Sequence, residues 1–198
     1  VCGLVYQIAA AALLSCFYIA YFAKQLALKK QGIDTNRLAK GRKARRTQII
    51  ERCLLGVTYV AAVMQFASVL FAAYFGAFSL PAAVRAAGCA LMLGGVAFFV
   101  LALAVMRGNW RAGIDETQKT EFVSGGVYRI SRNPAFVGFD LMYIGTVLAC
   151  PNVLMAVAAG VAVLLLHLQI LEEEQFLTAT FGGAYDAYKS KTARYILF

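Results

Sequence analysis

Two arginines three residues apart, Arg129 and Arg132, precede an Asn-Pro step, Asn133-Pro134, in KTEFVSGGVYRISRNPAFVGFDLMYIG, residues 119–145. Pro134 suits the first turn of a helix, where the N–H it lacks would have no intrahelical partner. Asn133 in front of it is an N-cap residue type. A helix starting here offers free N–H donors and the positive end of its dipole beside two cations. That combination can hold a carboxylate or another anion. A snorkelling arginine pair at the start of a membrane helix is the plainer reading of the same residues. A second constellation, Glu172-Glu173-Glu174, closes a long apolar run. Three adjacent acids fan over most of a helix, so they cannot all face one site. Two further residues stand in apolar surroundings, the acid Asp140 and the single histidine, His167. Asp140 either pairs with a buried cation or lines a cavity, because an unpaired acid in lipid is costly. His167 suits a hydrogen-bonded packing role better than a catalytic one.

These groups sit in a chain of 198 residues that is 61% hydrophobic, with a mean hydropathy of +0.69. Ordinary soluble domains are about 45–50% apolar, so one integral membrane domain is the economical reading. The formal charge is +9, from 19 Lys+Arg against 10 Asp+Glu. In so apolar a chain the surplus sets membrane topology rather than binding nucleic acid. The basic stretch 24–52 also lacks the interleaved aromatics of a single-strand groove. Its functional reading is affinity for anionic lipid head groups, about 1 kcal/mol per cation near the surface. The five cysteines are widely spaced, there is no C-x-x-C, and His167 stands alone, which argues against a metal site or a disulfide framework. Neither a Walker motif nor G-x-G-x-x-G occurs.

Hydropathy places five spans around the two constellations, over 3–23, 53–75, 82–106, 134–150 and 153–181. In the first span the cations follow the apolar run rather than precede it, so it reads as a retained helix and not a cleaved signal. The third carries Gly88, Gly94 and Gly95, a small-residue face for close helix packing. The fourth, of about 17 residues, is at the lower limit for crossing a bilayer. The fifth, about 40 Å long at 1.5 Å per residue, exceeds the ~30 Å hydrocarbon core and projects its glutamates into the interface. Gly182 and Gly183 end it, and a short amphipathic piece follows over 184–191. All but Arg85 of the 19 Lys+Arg fall in 24–52, 107–132 and the C-terminal segment. Those three segments are therefore expected on the cytoplasmic side, with the N-terminus outside and Trp110 as an interfacial aromatic. The expected fold is all-α, a polytopic membrane protein of about five transmembrane helices in a single domain, 1–198, with its site facing the cytoplasm.

The motif residues also carry a family resemblance. Gly126, Tyr128, Arg129, Arg132, Asn133, Pro134 and Phe136, read as G-x-Y-R-x-x-R-N-P-x-F, are similar to the G-x-Y-R-x-x-R-H-P-x-Y signature of isoprenylcysteine carboxyl methyltransferases and related membrane phospholipid methyltransferases. Glu173, Glu174, Leu177, Phe181, Gly182, Tyr185 and Tyr188 resemble that family's C-terminal signature, with Arg194 close behind. Gly108 to Gly113, G-N-W-R-x-G, resembles its bacterial members. The resemblance covers roughly 90–196 and leaves 1–85 as a variable helical and basic part. It implies S-adenosylmethionine as cofactor and a lipophilic small-molecule or lipidated acceptor. The implied cofactor contacts are Phe122, Val123, Tyr128, Asn133, Pro134, Phe136, Glu173 and Glu174, and the implied catalytic groups are Arg129, Arg132, Glu173 and Arg194. Asn133 stands for the family's usual histidine, Phe136 for its tyrosine, and the end Tyr195-Ile196-Leu197 lacks the proline that often follows. These departures bear on the acceptor more than on the cofactor. Methyl transfer asks for alignment and desolvation more than proton chemistry. A carboxylate acceptor, such as an isoprenylcysteine-like one, is preferred over an amine, because three arginines lie close by while Asn133 cannot act as a base. The acceptor is expected to enter laterally near the ends of the fourth and fifth spans. Two other readings stand beside this one: a non-catalytic lipid-binding or scaffold protein, and an NADPH-dependent membrane reductase of related fold.

Overall fold

A computed structural model describes residues 3–41, 43–72, 74–75, 79–113 and 121–196. Its long helices are α1 (Leu4–Lys30), α2 (Arg45–Leu70), α3 (Ala82–Met106), α4 (Pro134–Ala149) and α5 (Val153–Phe181), with a short α6 (Gly183–Lys189). No strand occurs among the described residues. Four helices are long and apolar enough to cross a membrane, and α4 is a shorter apolar fifth. At about 1.5 Å per residue, α4 is about 24 Å long, just under the hydrocarbon thickness. Leu4, Ile8, Tyr59, Val63, Val157 and Leu164 are among many large apolar side chains left exposed. A bundle that is apolar outside as well as inside belongs in lipid.

The helices and the spans do not share all their ends. α1 runs on to Lys30 and α2 begins at Arg45, each about two turns beyond the expected apolar segment on that side. Arg, Lys, Gln and Glu are good helix formers, so both helices continue past the hydrocarbon boundary as charged turns. Hydropathy finds where a helix crosses lipid, not where its hydrogen bonds stop. At the other end α2 stops at Leu70, and 71–72 and 74–75 form turns.

α3 and α4 form the most extensive helix pair, and glycine is the reason. A Cβ on Gly145 would lie 2.6 Å from Met92 Cγ and 2.7 Å from the Gly88 carbonyl oxygen. One on Gly95 would lie 2.8 Å from the Gly138 carbonyl oxygen. Gly88 therefore meets Gly145, and Gly95 meets Gly138, seven residues along each helix. Gly94, expected on the same face, instead looks towards Leu141, with a built Cβ at 3.7 Å. Polar side chains tie the other helices. Tyr18 on α1 donates to Gln65 Oε1 on α2 at 2.6 Å, and Gln65 Nε2 donates to Thr146 Oγ1 on α4 at 3.1 Å. With no water in the bilayer core, such interhelical bonds act as glue.

One end of the bundle is polar, and all three cation-rich segments meet there. Arg37 N–H donates to Ala112 O, and Ala112 N–H donates to Thr35 O, both at 2.8 Å, which joins the α1–α2 loop to the segment after α3. Arg132 N–H donates to Ala193 O at 2.9 Å, which brings the C-terminal tail to the start of α4. Gly145→Val is expected to destabilise the protein by about 1–3 kcal/mol, the usual cost of overpacking. Gly160→Val should change little, because nothing lies within 4 Å of a Cβ there. Thermal unfolding of the two variants in detergent checks the pair.

Candidate functional site

The three adjacent glutamates at the end of α5 turn to three different neighbours. Glu172 accepts from Thr47 Oγ1 at 2.5 Å and pairs with Arg46 at 3.1 Å, both on α2. Glu174 points towards α4. Its Oε1 lies 3.0 Å from Arg132 Nη2, and its Oε2 lies 2.9 Å from Arg194 Nη2. Glu173 lies between these directions and accepts from the Gln169 amide at 3.1 Å. Glu51, wholly buried on α2, is paired with Lys43 Nζ at 2.6 Å. Glu51, Glu172 and Glu174 thus each have a cation within pairing distance. For Glu173 no such ion pair occurs among the described residues.

Around Glu174 the chain builds a clamp. Arg132 also donates through Nη1 to the carbonyls of Lys189 at 3.1 Å and Thr192 at 2.6 Å. Asn133 Nδ2 donates to Glu174 Oε1 at 3.3 Å and to Arg194 O at 3.2 Å. The hydrogen bonds to Glu174 hold the Arg194 guanidinium above the usual arginine range. The α4 start, the α5 end and the tail are thereby one unit.

Against this clamp lies a cavity of about 160 Å³, walled by Phe122, Val123, Tyr128, Arg132, Asn133, Phe136, Glu173, Tyr185 and Tyr188 among others. Phe122 packs against Phe181, Tyr185 and Tyr188 with ring centroids 5.3, 6.0 and 5.4 Å apart. Tyr188 donates to Tyr128 O at 2.5 Å, and burial pushes its hydroxyl up to about 12, so it stays a donor. The Tyr185 hydroxyl is buried with no hydrogen-bond partner among the described residues. A second cavity, about 370 Å³ and mostly apolar, lies between α1, α2, α4 and α5, lined by Tyr18, Phe22, Leu55, Phe66, Phe139 and Leu166 among others. Trp110, Arg111, Gly113, Ala135, Phe136 and Glu173 line both cavities. Among the described residues, Glu173 is thus the one carboxylate in the wall they have in common.

Most of the expected site residues are brought together, with several corrections. Phe122, Val123, Tyr128, Arg132, Asn133, Phe136 and Glu173 line the smaller cavity. Pro134 is buried as the first residue of α4, behind the wall rather than in it. Arg129 is exposed and lines neither cavity. Glu174 and Arg194 lie outside both cavities and serve the clamp. Asn133 makes no side-chain cap, since its amide is turned to Glu174. Trp110 is a buried wall residue, its ring edge on Tyr21 at 5.7 Å, and not an interfacial anchor. His167 Nδ1 lies 2.5 Å from the Tyr195 hydroxyl and so pins the tail to α5. Asp140 lines neither described cavity. Its Oδ1 is buried without a hydrogen-bond partner among the described residues. Sequence reasoning missed Lys43, Glu51 and Gln169. An amide inside an apolar helix, Gln169, and an acid among cations, Glu51, were the available signals.

The family model for phospholipid methyltransferase matches residues 83–184, from the first turn of α3 into α6. No curated protein matches the chain. Glu174→Gln removes the counter-charge of Arg132, whose side chain is only 8% exposed. Stability should fall by about 3–5 kcal/mol, as when a buried pair loses one partner. Arg194→Gln should cost much less, because Arg194 is 38% exposed and Arg132 keeps its carboxylate. Equilibrium unfolding of both variants measures the difference.

Proposed function

Because the chain belongs to the phospholipid methyltransferase family, a family of integral membrane methyltransferases, we propose that it is an S-adenosylmethionine-dependent enzyme that methylates a lipophilic acceptor. The observation that carries this reading is Glu173, the carboxylate without an ion-pair partner among the described residues, set in a wall between an aromatic-sided cavity and a larger apolar one. A carboxylate buried at this depth calls for a partner, and a cationic guest supplies one. S-adenosylmethionine, when bound, supplies a methyl carbon activated by a sulfonium cation.

The residues of the smaller cavity fit that cofactor by chemistry. Phe122, Tyr128, Phe136 and Tyr188 offer faces and edges to an adenine. The Tyr185 hydroxyl, without a hydrogen-bond partner among the described residues, offers a donor to a ribose or carboxylate oxygen. Glu173 favours the cation or the amine. Trp110 and Phe136, in the shared wall, keep water from the meeting point of donor and acceptor. The larger cavity suits an acyl or prenyl chain of ten or more methylenes, each worth about 0.8 kcal/mol on burial. Its lining from α1 and α2 includes Phe22 and Tyr59, both more than half exposed on the bundle surface. The acceptor is therefore read as entering from the lipid between those helices, a different place from the expected one near the ends of the fourth and fifth spans.

The head group is read from the shared wall. With Arg132 and Arg194 held by Glu174 and Arg129 exposed, Arg111 is the one cation that the described residues place in the shared wall, near where an isoprenylcysteine-like carboxylate would lie. A phospholipid amine is the second reading, favoured by Glu173, which can take its proton. The polar end of the bundle faces the cytoplasm, on the strength of the cation distribution.

S-adenosylhomocysteine at 100 times its Kd is expected to stabilise the protein by about 2.7 kcal/mol, and NADPH to leave the melting point unchanged. Unchanged S-adenosylhomocysteine affinity in both Asn133→Ala and Glu173→Ala would remove this cavity as the cofactor site. A labelled-methyl screen of matched long-chain acids and amines reads the head group. Faster amine methylation that is lost in Glu173→Gln assigns the amine. Cysteines placed at Lys40 and Lys191, both exposed, should label only from the cytoplasmic face, and labelling on opposite faces would overturn the topology.

A further inference from the structure

At its polar end the larger cavity carries a side chain that methyl transfer itself does not call for. Gln169, on α5, is fully buried and lines that cavity. Its Nε2 donates to Glu51 Oε1 at 3.4 Å and to Glu173 Oε1 at 3.1 Å. The Lys43-paired carboxylate of Glu51 only accepts, so the nitrogen end of the amide is the end that faces it. The carbonyl end is turned away, and Gln169 Oε1 has no hydrogen-bond partner among the described residues. A buried acceptor left without a donor calls for an explanation.

The orientation is locked from behind. Glu51 accepts from Ala39 N–H at 2.8 Å and from Lys43 Nζ at 2.9 and 2.6 Å. Lys43, 4% exposed, also donates to Arg37 O at 2.8 Å. Glu51 is thereby held in place, and a flip of Gln169 would set its oxygen against that ion-paired carboxylate. Asn36 Oδ1, in the lining of the same cavity, is a second buried acceptor without a partner among the described residues.

We infer that Gln169 is a specificity residue whose carbonyl oxygen accepts a hydrogen bond from an N–H or O–H in the head of a long-chain lipid held in the larger cavity. The inference rests on the reading of that cavity as the acceptor site. The head lies at the Glu173 end and the chain among the apolar residues of α1 and α2. Lipids with a donor on the head are preferred over those with ester, ether or fully substituted amide heads. A fixed polar group rejects an analogue that leaves it unpaired more strongly than an apolar pocket rejects an extra methyl.

Two matched pairs test this, each differing by one methyl that removes the donor: N-methylhexadecanamide against N,N-dimethylhexadecanamide, and hexadecanol against hexadecyl methyl ether. Affinities come from thermal-shift titrations of the detergent-solubilised protein. The wild type should bind the donor-bearing member of at least one pair about 2- to 10-fold more tightly, the range of one net hydrogen bond. Preference in the amide pair assigns an N–H, and in the alcohol pair an O–H. Gln169→Met, of similar length but without the oxygen, should bring the ratio to one. Gln169→Asn, which withdraws the oxygen by one methylene, should weaken it, and it serves also if the first variant does not fold. A purely structural role would lower the melting point and weaken both members alike, leaving the ratio unchanged. That outcome, or a wild-type ratio of one, overturns the inference and leaves the cavity as acceptor site. Binding of none of the four lipids overturns the acceptor-site reading and the inference with it.

Discussion

The carboxylate of Glu174 is the one interaction the polar end of this protein depends on. It sits on α5, faces the α4 start, and takes one arginine on each oxygen, Arg132 from the α4 side and Arg194 from the tail. A buried carboxylate with two guanidiniums makes a geometry that neither arginine could hold alone. Everything around the smaller cavity follows from it. Asn133 is turned inward because its amide completes the coordination of Glu174. The tail runs over the α4 start because Arg132 also gathers the Lys189 and Thr192 carbonyls. Tyr185 and Tyr188 then lie on the α6 turn that closes the cavity.

The clamp needs α4 and α5 at a fixed height, and helix length supplies that. α4 has 16 residues and α5 has 29, so the two cannot be flush at both ends. They are joined by a short turn in which Asn152 Oδ1 accepts from Met155 N–H at 2.8 Å. The surplus of α5 therefore all appears at the polar end, past the start of α4. The glycine contacts between α3 and α4 stop α4 from sliding, since any shift would set Cβ atoms of one helix against backbone of the other. Backbone pairs to residues 36 and 193 then tie the loops across the end of the bundle.

Much of this could be read from residue types. A short apolar segment behind Asn-Pro, a long one ending in acids and then Gly182, and paired motifs around the hairpin are local signals, and local chemistry decides them. Gly182 has a φ of +53° as the cap of α5, which is the conformation glycine is chosen for. The division of labour among the glutamates was not legible. Sequence says that three adjacent acids diverge, but not which neighbour each one meets, because that depends on the rotation of α5 against α2 and α4. For the same reason Arg129 and Arg132 looked equivalent, although one is solvent-exposed and the other clamped. Lys43 passed as one more topology charge among ten cations in the stretch 24–52. Its role depends on a loop that folds back onto Glu51, a contact with no periodic signature.

The electrostatics of the shared wall link these placements to chemistry. The polar end pairs Glu51 with Lys43, Glu172 with Arg46 and Glu174 with two arginines, and among the described residues gives Glu173 a neutral amide but no ion pair. Under the proposed reading, Glu173 meets its cation as a guest, in a setting where attraction is far stronger than in water. The charge left in the site after methyl transfer depends on the acceptor. With an amine, positive charge passes from donor to methylated product, and the proton that Glu173 takes before transfer has to leave before its carboxylate can pair with that product. With a carboxylate, transfer consumes one charge of each sign, and Glu173 is left without a cation once the ester has formed. The first case favours retention of a product that can be methylated again, and the second favours release after one transfer. The number of methyl groups added before release is thus tied, through the Glu173 carboxylate, to the chemistry of the head group.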